Sequence, residues 1–174
     1  MTTRKTLAGL ALVMSGFGSG AMATDGTVKF EGDIVDTPCV VSSESSDQTV
    51  SMGKVKSSIF AKAKDVAPEQ GFNIKLEECS TSVKKNANVT FIGTQDTADN
   101  TLLSINNASG AAKGVGIEIL NNSGTAIAMG SASTDTQLKD GQDTLLFKAR
   151  YKSTAATVTP GSANAQTDFE VNYK

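Results

Sequence analysis

The 174-residue chain has no histidine and no tryptophan, and only two cysteines. Lacking histidine, it lacks the commonest general base and the commonest metal-binding side chain. Routes to catalysis that turn on an imidazole are therefore closed, and the sequence reads as a non-enzyme with no cofactor site. No apolar run approaches the roughly 20 residues that a membrane-spanning helix needs. Basic residues do not cluster or interleave with aromatics, so nothing points to nucleic acid; the 16 Lys and Arg are outnumbered by 18 Asp and Glu. There is no repeat of fixed period and no linker that divides the chain.

The first residues read as an address rather than as fold. Arg4 and Lys5 precede a short apolar run, Thr6 to Met14, and Ala21-Met22-Ala23 places small residues where a signal peptidase reads. This pattern predicts a secretory signal peptide over 1–23. The 151 residues from Thr24 to Lys174 then hold 14 basic and 18 acidic side chains, a mildly acidic single domain by size. Cys39 and Cys79 both lie in that exported part, 40 positions apart. An even count in an exported chain reads as one disulfide, with two buried free thiols as the alternative. Closing a loop of that length stabilises by roughly 4 kcal/mol in the chain-entropy picture.

Short runs of alternating apolar residues, separated by Ser, Thr, Asn and Gly, mark many strands and little helix. They are Thr27–Val35, Cys39–Ser42, Gln48–Met52, Gly71–Cys79, Ala87–Gly93, Thr101–Ile105, Gly114–Leu120, Thr125–Gly130, Asp143–Ser153 and Thr167–Lys174. In Gly71–Cys79 the core face is Phe72, Ile74 and Leu76; in Asp143–Ser153 it is Leu145, Phe147 and Ala149. Lys54–Lys64 alone suggests a helical turn. The expected class is an all-β sandwich. Asp135–Asp143 groups three acids near a glycine, but the spacing does not match an EF-hand loop, and it reads as a turn. The Asn-X-Ser/Thr patterns at Asn88, Asn107 and Asn121 are frequent by chance in so polar a chain.

The two ends carry more. Val28, Phe30 and Ile34 alternate against Thr27, Lys29, Glu31 and Asp33, and Gly32 stands where another apolar side chain is due. Glycine inside a strand is unfavourable unless something approaches closely there. At the other end Phe169, Val171 and Tyr173 share one face of a terminal strand, whose edge is open to strand addition.

Taken together, Gly26–Cys39, Gly71–Cys79, Leu146–Thr154 and Val158–Lys174 resemble the major structural pilins of chaperone–usher fimbriae, of the type 1 pilus kind. That resemblance implies an immunoglobulin-like sandwich lacking its last strand, spanning 37–174, with a donor-strand extension over 24–36. It implies that Gly26, Val28, Phe30, Gly32 and Ile34 enter a neighbour's groove. It also implies that Phe169, Val171 and Tyr173 line the groove edge and that the Lys174 carboxylate docks on a chaperone. The Cys39–Cys79 pair matches the family's bridge between the first strand and the end of a central one. The implied partners are identical and related pilins, a periplasmic chaperone and an outer-membrane usher; the implied location is the fimbrium on the bacterial surface. The role is a shaft subunit, with a minor adaptor, a terminator or a self-contained exported binding domain as alternatives. A two-domain tip adhesin is disfavoured, since 151 residues leave no room for a receptor-binding domain. Mass spectrometry of the exported protein should find Thr24 as its first residue; any other N-terminus overturns the cleavage assignment.

Overall fold

A computed structural model describes residues 26–32, 34 and 37–174. The expected signal peptide lies outside the described residues, as do Thr24, Asp25, Asp33, Val35 and Asp36 of the expected donor segment. The chain divides into two units, 1–35 and 36–174.

The larger unit carries β1 (Val40–Val41), β2 (Gln70–Cys79), β3 (Asn86–Ile92), β4 (Leu103–Ser104), β5 (Val115–Asn121), β6 (Ala126–Ile127), β7 (Thr136–Gln137), β8 (Gly141–Ser153) and β9 (Asp168–Tyr173). One sheet runs β1–β2–β8–β5–β4, with β6 also on β5; the other runs β7–β3–β9. Every strand pair in both sheets is antiparallel. This is an immunoglobulin-like sandwich, and the two-residue periodicity of the sequence explains its core. Ile74 and Leu76 of β2, Val89 and Phe91 of β3, Ile117 and Ile119 of β5, and Leu145, Phe147 and Ala149 of β8 all turn into one buried cluster. Phe72, Phe91 and Phe147 meet there with ring centroids 5.2–5.9 Å apart.

The centre of the larger sheet is covered on both sides, since every residue of β5 is buried. Glu118 therefore lies in the outer layer without water, and its carboxylate is met by Arg150 at 2.7 Å and Lys152 at 2.8 Å. Removing one partner of such a buried pair leaves a charge uncompensated, the costly case. Gly116 has a steric reason: a Cβ there would come within 3.0 Å of the Leu102 Cβ.

Cys39 and Cys79 form a disulfide, which ties the residue before β1 to the end of β2. A single 3-10 turn, Ser57–Ile59, falls where the helical turn was expected. Two expected strands are absent. Gln48–Met52 forms no ladder, and the described part of Thr27–Val35 is not a strand. Both are apolar alternations without a partner strand, and a strand exists only when its backbone groups are paired. Conversely, α1 (Ser43–Ser46) and β7 arise in polar stretches with no periodic signal.

Ile74→Ala should lower the unfolding free energy of the subunit by about 2–5 kcal/mol in urea titration, whereas Glu77→Ala on the opposite face of β2 should change it by less than about 0.5 kcal/mol. Equal losses at the two positions would contradict the facing of β2.

Candidate strand-accepting groove

Between the two sheets the sandwich is open. A cavity of about 1030 Å³ runs between the segment Val41–Gly53 on one wall and Ala163–Phe169 on the other. Its floor is the core itself: Phe72, Phe91, Leu103, Ile117 and Ile119, with Ala149 and Tyr151 of β8. A second cavity of about 330 Å³ shares Gly53, Tyr151, Ala163 and Asn164 with the groove and extends it past that end.

Both walls present unpaired backbone. On the first, residues 48–55 take part in no backbone–backbone hydrogen bond among the described residues. On the second, the phase of hydrogen bonding follows from one pair. Lys174 N–H donates to the Asn86 carbonyl at 2.8 Å, and Asn86 N–H donates back to Lys174 at 3.0 Å. In an antiparallel ladder such doubly bonded pairs recur every second residue. Asn172, Glu170 and Asp168 therefore pair inward with Asn88, Thr90 and Ile92. Phe169, Val171 and Tyr173 are left with N–H and C=O directed to the open edge. The pattern continues before β9: the Asn164 carbonyl accepts from Asn106 N–H at 2.7 Å, while Ala165 and Thr167 make no backbone–backbone bond.

In the C-terminal half of β9 the inward side chains are covered while the backbone edge stays open. Val171 and Tyr173 pack against the core cluster, and the Tyr173 hydroxyl donates to the Cys39 carbonyl at 3.3 Å. Of the three expected edge residues, Phe169 lines the groove and the other two lie beyond it. Lys174 is held at home: one terminal oxygen accepts N–H groups from Lys85 and Asn86, each at 3.0 Å. Its ammonium reaches Asp135 at 3.0 Å. The Asn88 amide and then the Lys174 ammonium hold the Asp135 carboxyl below its ordinary range. At the far end the Tyr151 hydroxyl donates to the Ala163 carbonyl at 2.9 Å, which lays its ring beneath that wall. Burial raises the Tyr151 phenol, so it stays protonated as a donor.

The expected donor residues are placed differently. Val28 and Phe30 are 77% and 92% exposed and Ile34 is fully so. A Cβ at Gly32 would meet nothing within 4 Å, and its φ is not positive. Nothing among the described residues therefore accounts for that glycine. Asp135, Asp140 and Asp143 are spent on local hydrogen bonds to Asn88, Thr81 and Lys139. Sequence reasoning missed the Gln48–Gly53 wall, which it took for an ordinary strand; its alternation of Val50 and Met52 with Thr49 and Ser51 was the available signal. It also missed Tyr151 as part of the floor.

The sequence profile of the family described as "Fimbrial protein" matches residues 28–174. The chain is 48% identical to the probable major fimbrial subunit LpfA of Escherichia coli O157:H7, over 97% of its own length and 94% of that protein's. It is 43% identical to the long polar fimbria protein A of Salmonella typhimurium, over 93% and 91%. Among solved structures it is similar to a subunit of a chaperone–usher pilus studied for rod uncoiling. That likeness has a TM-score of 0.70 at 28% identity and covers 87% of this chain and 96% of that one. With an open sandwich of this form and a match that extends through nearly all of its length, the chain belongs to the fimbrial protein family.

Proposed function

We propose that this fimbrial subunit polymerises head to tail by donor-strand exchange, residues 24–36 of one copy completing the sandwich of the next. The observation that carries the reading is the coexistence, in one chain, of an apolar groove with unpaired backbone on both walls and an apolar segment with no cover of its own. Each half answers the other's deficit. Val28, Phe30 and Ile34 would leave water for the groove, favourable by up to about 1.5–3 kcal/mol each. The new ladder would add roughly 0.5–1.5 kcal/mol net per hydrogen bond. Gly32, without a role among the described residues, is suited to a place where the groove floor rises.

The geometry of the contact sets the product. Donor and acceptor are different surfaces of the same subunit, so the interface is heterologous and repetition gives an open filament. A subunit with both surfaces can sit inside a shaft; one that ends a fibre needs no usable groove. Catalysis plays no part, and no nucleotide site is invoked for assembly. Before assembly the wet groove is an aggregation hazard. A periplasmic chaperone strand held in it would protect the subunit until an outer-membrane usher delivers the next donor. The completed product is a fimbria on the bacterial surface.

Deleting 24–36 from the exported protein should abolish fibres while leaving a folded, chaperone-bound subunit, read by electron microscopy and by heat-stable ladders on gels. Fibres of normal length from that truncation would overturn the proposal. Gly32→Leu should likewise block polymerisation without lowering the amount of chaperone-bound monomer. Normal fibres from Gly32→Leu would refute the raised floor but leave strand exchange standing.

A further inference from the structure

A donor strand can be inserted in several registers two residues apart, and all of them turn its apolar face inward. Within the strand-exchange reading, on which this inference rests, charge and groove length together select one. We propose that the donor lies antiparallel to the Ala163–Phe169 wall with Lys29 of one subunit directly opposite Asp168 of the next, an ion pair that sets the register.

The argument begins with the pleat. Donor residues 28, 30, 32 and 34 must face the floor, as Phe169 does, so they stand opposite odd-numbered wall residues. Those are the residues whose backbone groups point to the open edge. The outward donor residues Lys29, Glu31 and Asp33 must then stand opposite even-numbered ones: Asn164, Gln166, Asp168, Glu170 or Asn172. With Lys29 at Asp168, Glu31 meets Gln166 and Asp33 meets Asn164: one attraction and no repulsion. Shifting the donor one step toward the C-terminus of β9 puts Lys29 at Glu170 but sets Glu31 against Asp168. A further step sets Glu31 against Glu170 and Asp33 against Asp168. The next sets Lys29 against Lys174 and Asp33 against Glu170. Like charges directly opposite destabilise a strand pair about as much as unlike ones stabilise it. Asp168 and Glu170 are exposed and have no ion-pair partner among the described residues.

Two further features agree. Val28, Phe30, Gly32 and Ile34 fall opposite Phe169, Thr167, Ala165 and Ala163, and this stretch is the one that lines the groove. In every other register one of these four residues falls opposite Val171 or beyond, or past Ala163, outside the stretch that lines the groove. Gly32 also comes to rest at Ala165, beside the place where the Tyr151 ring is pinned under Ala163.

Position 168 bonds inward to β3, so Lys29 and Asp168 form a non-hydrogen-bonded pair with Cα atoms about 4.5 Å apart, within the range of a disulfide. The test uses full-length subunits assembled into fibres, one with Lys29→Cys and Asp168→Cys, another with Lys29→Cys and Glu170→Cys. Positions 29, 168 and 170 are all solvent-exposed. Intersubunit crosslinks on non-reducing gels should predominate for 29 with 168. Crosslinks that predominate for 29 with 170 overturn the register alone. Polymerised fibres crosslinked at neither pair likewise overturn the register, while the strand-exchange reading stands or falls with the 24–36 deletion. In parallel, Lys29→Glu should slow assembly on the order of tenfold at low salt, and adding Asp168→Lys should restore it. A double variant no faster than Lys29→Glu counts against the ion pair.

Discussion

The unpaired outer edge of β9 is the constraint on which the rest depends. A buried N–H or C=O without a partner costs about as much as a lost hydrogen bond, and a sandwich that stops one strand short has a row of them beside an uncovered core. The three-stranded sheet ends at β9, and the opposite wall, 48–55, offers no backbone partner either. Along the groove between these two walls the core is uncovered and the backbone on both sides is unpaired among the described residues.

Around this opening the remainder of the unit is heavily braced. The disulfide fastens the start of β1 to the end of β2. The phenylalanine cluster of Phe72, Phe91 and Phe147 links both sheets at the groove floor. The carboxylate of Glu118, held between Arg150 and Lys152, joins β5 to β8 on the far face. The hydrogen bonds of Lys174 to Lys85 and Asn86 keep β9 in place on β3 although its other side is bare. These contacts let an incomplete sandwich hold its shape, so that the strand it receives meets a formed groove rather than organising one.

In the proposed exchange of strands, apolar residues supply most of the stability and polar ones decide the register. In that exchange, registers two residues apart all turn the donor's apolar face inward, and the length of the groove limits which of them keep it over the floor. In the proposed register the remaining choice falls to side chains on the solvent face, where Lys29 would stand opposite Asp168. Attraction and repulsion of a few tenths of a kcal/mol to about 1 kcal/mol per pair are small beside the gain from burial. They suffice to order neighbouring registers that differ little in burial.

The sequence by itself determined the strands that have partners within the chain. Alternation over Gly71–Cys79, Ala87–Gly93 and Asp143–Ser153 was legible because each such strand buries one face locally, and the side-chain period of two records it directly. Gly32 was legible too as an anomaly, since no turn or positive φ accounts for it. What only the tertiary structure decided is non-local. Val50 and Met52 alternate like any strand, yet their segment is one wall of the groove because no neighbour among the described residues pairs with it. Phe169 lines the opening while Val171 and Tyr173 do not, because the Tyr173 hydroxyl reaches Cys39 from 134 positions away. Periodicity says which face of a strand is apolar; whether another strand stands beside it depends on how distant parts of the chain meet.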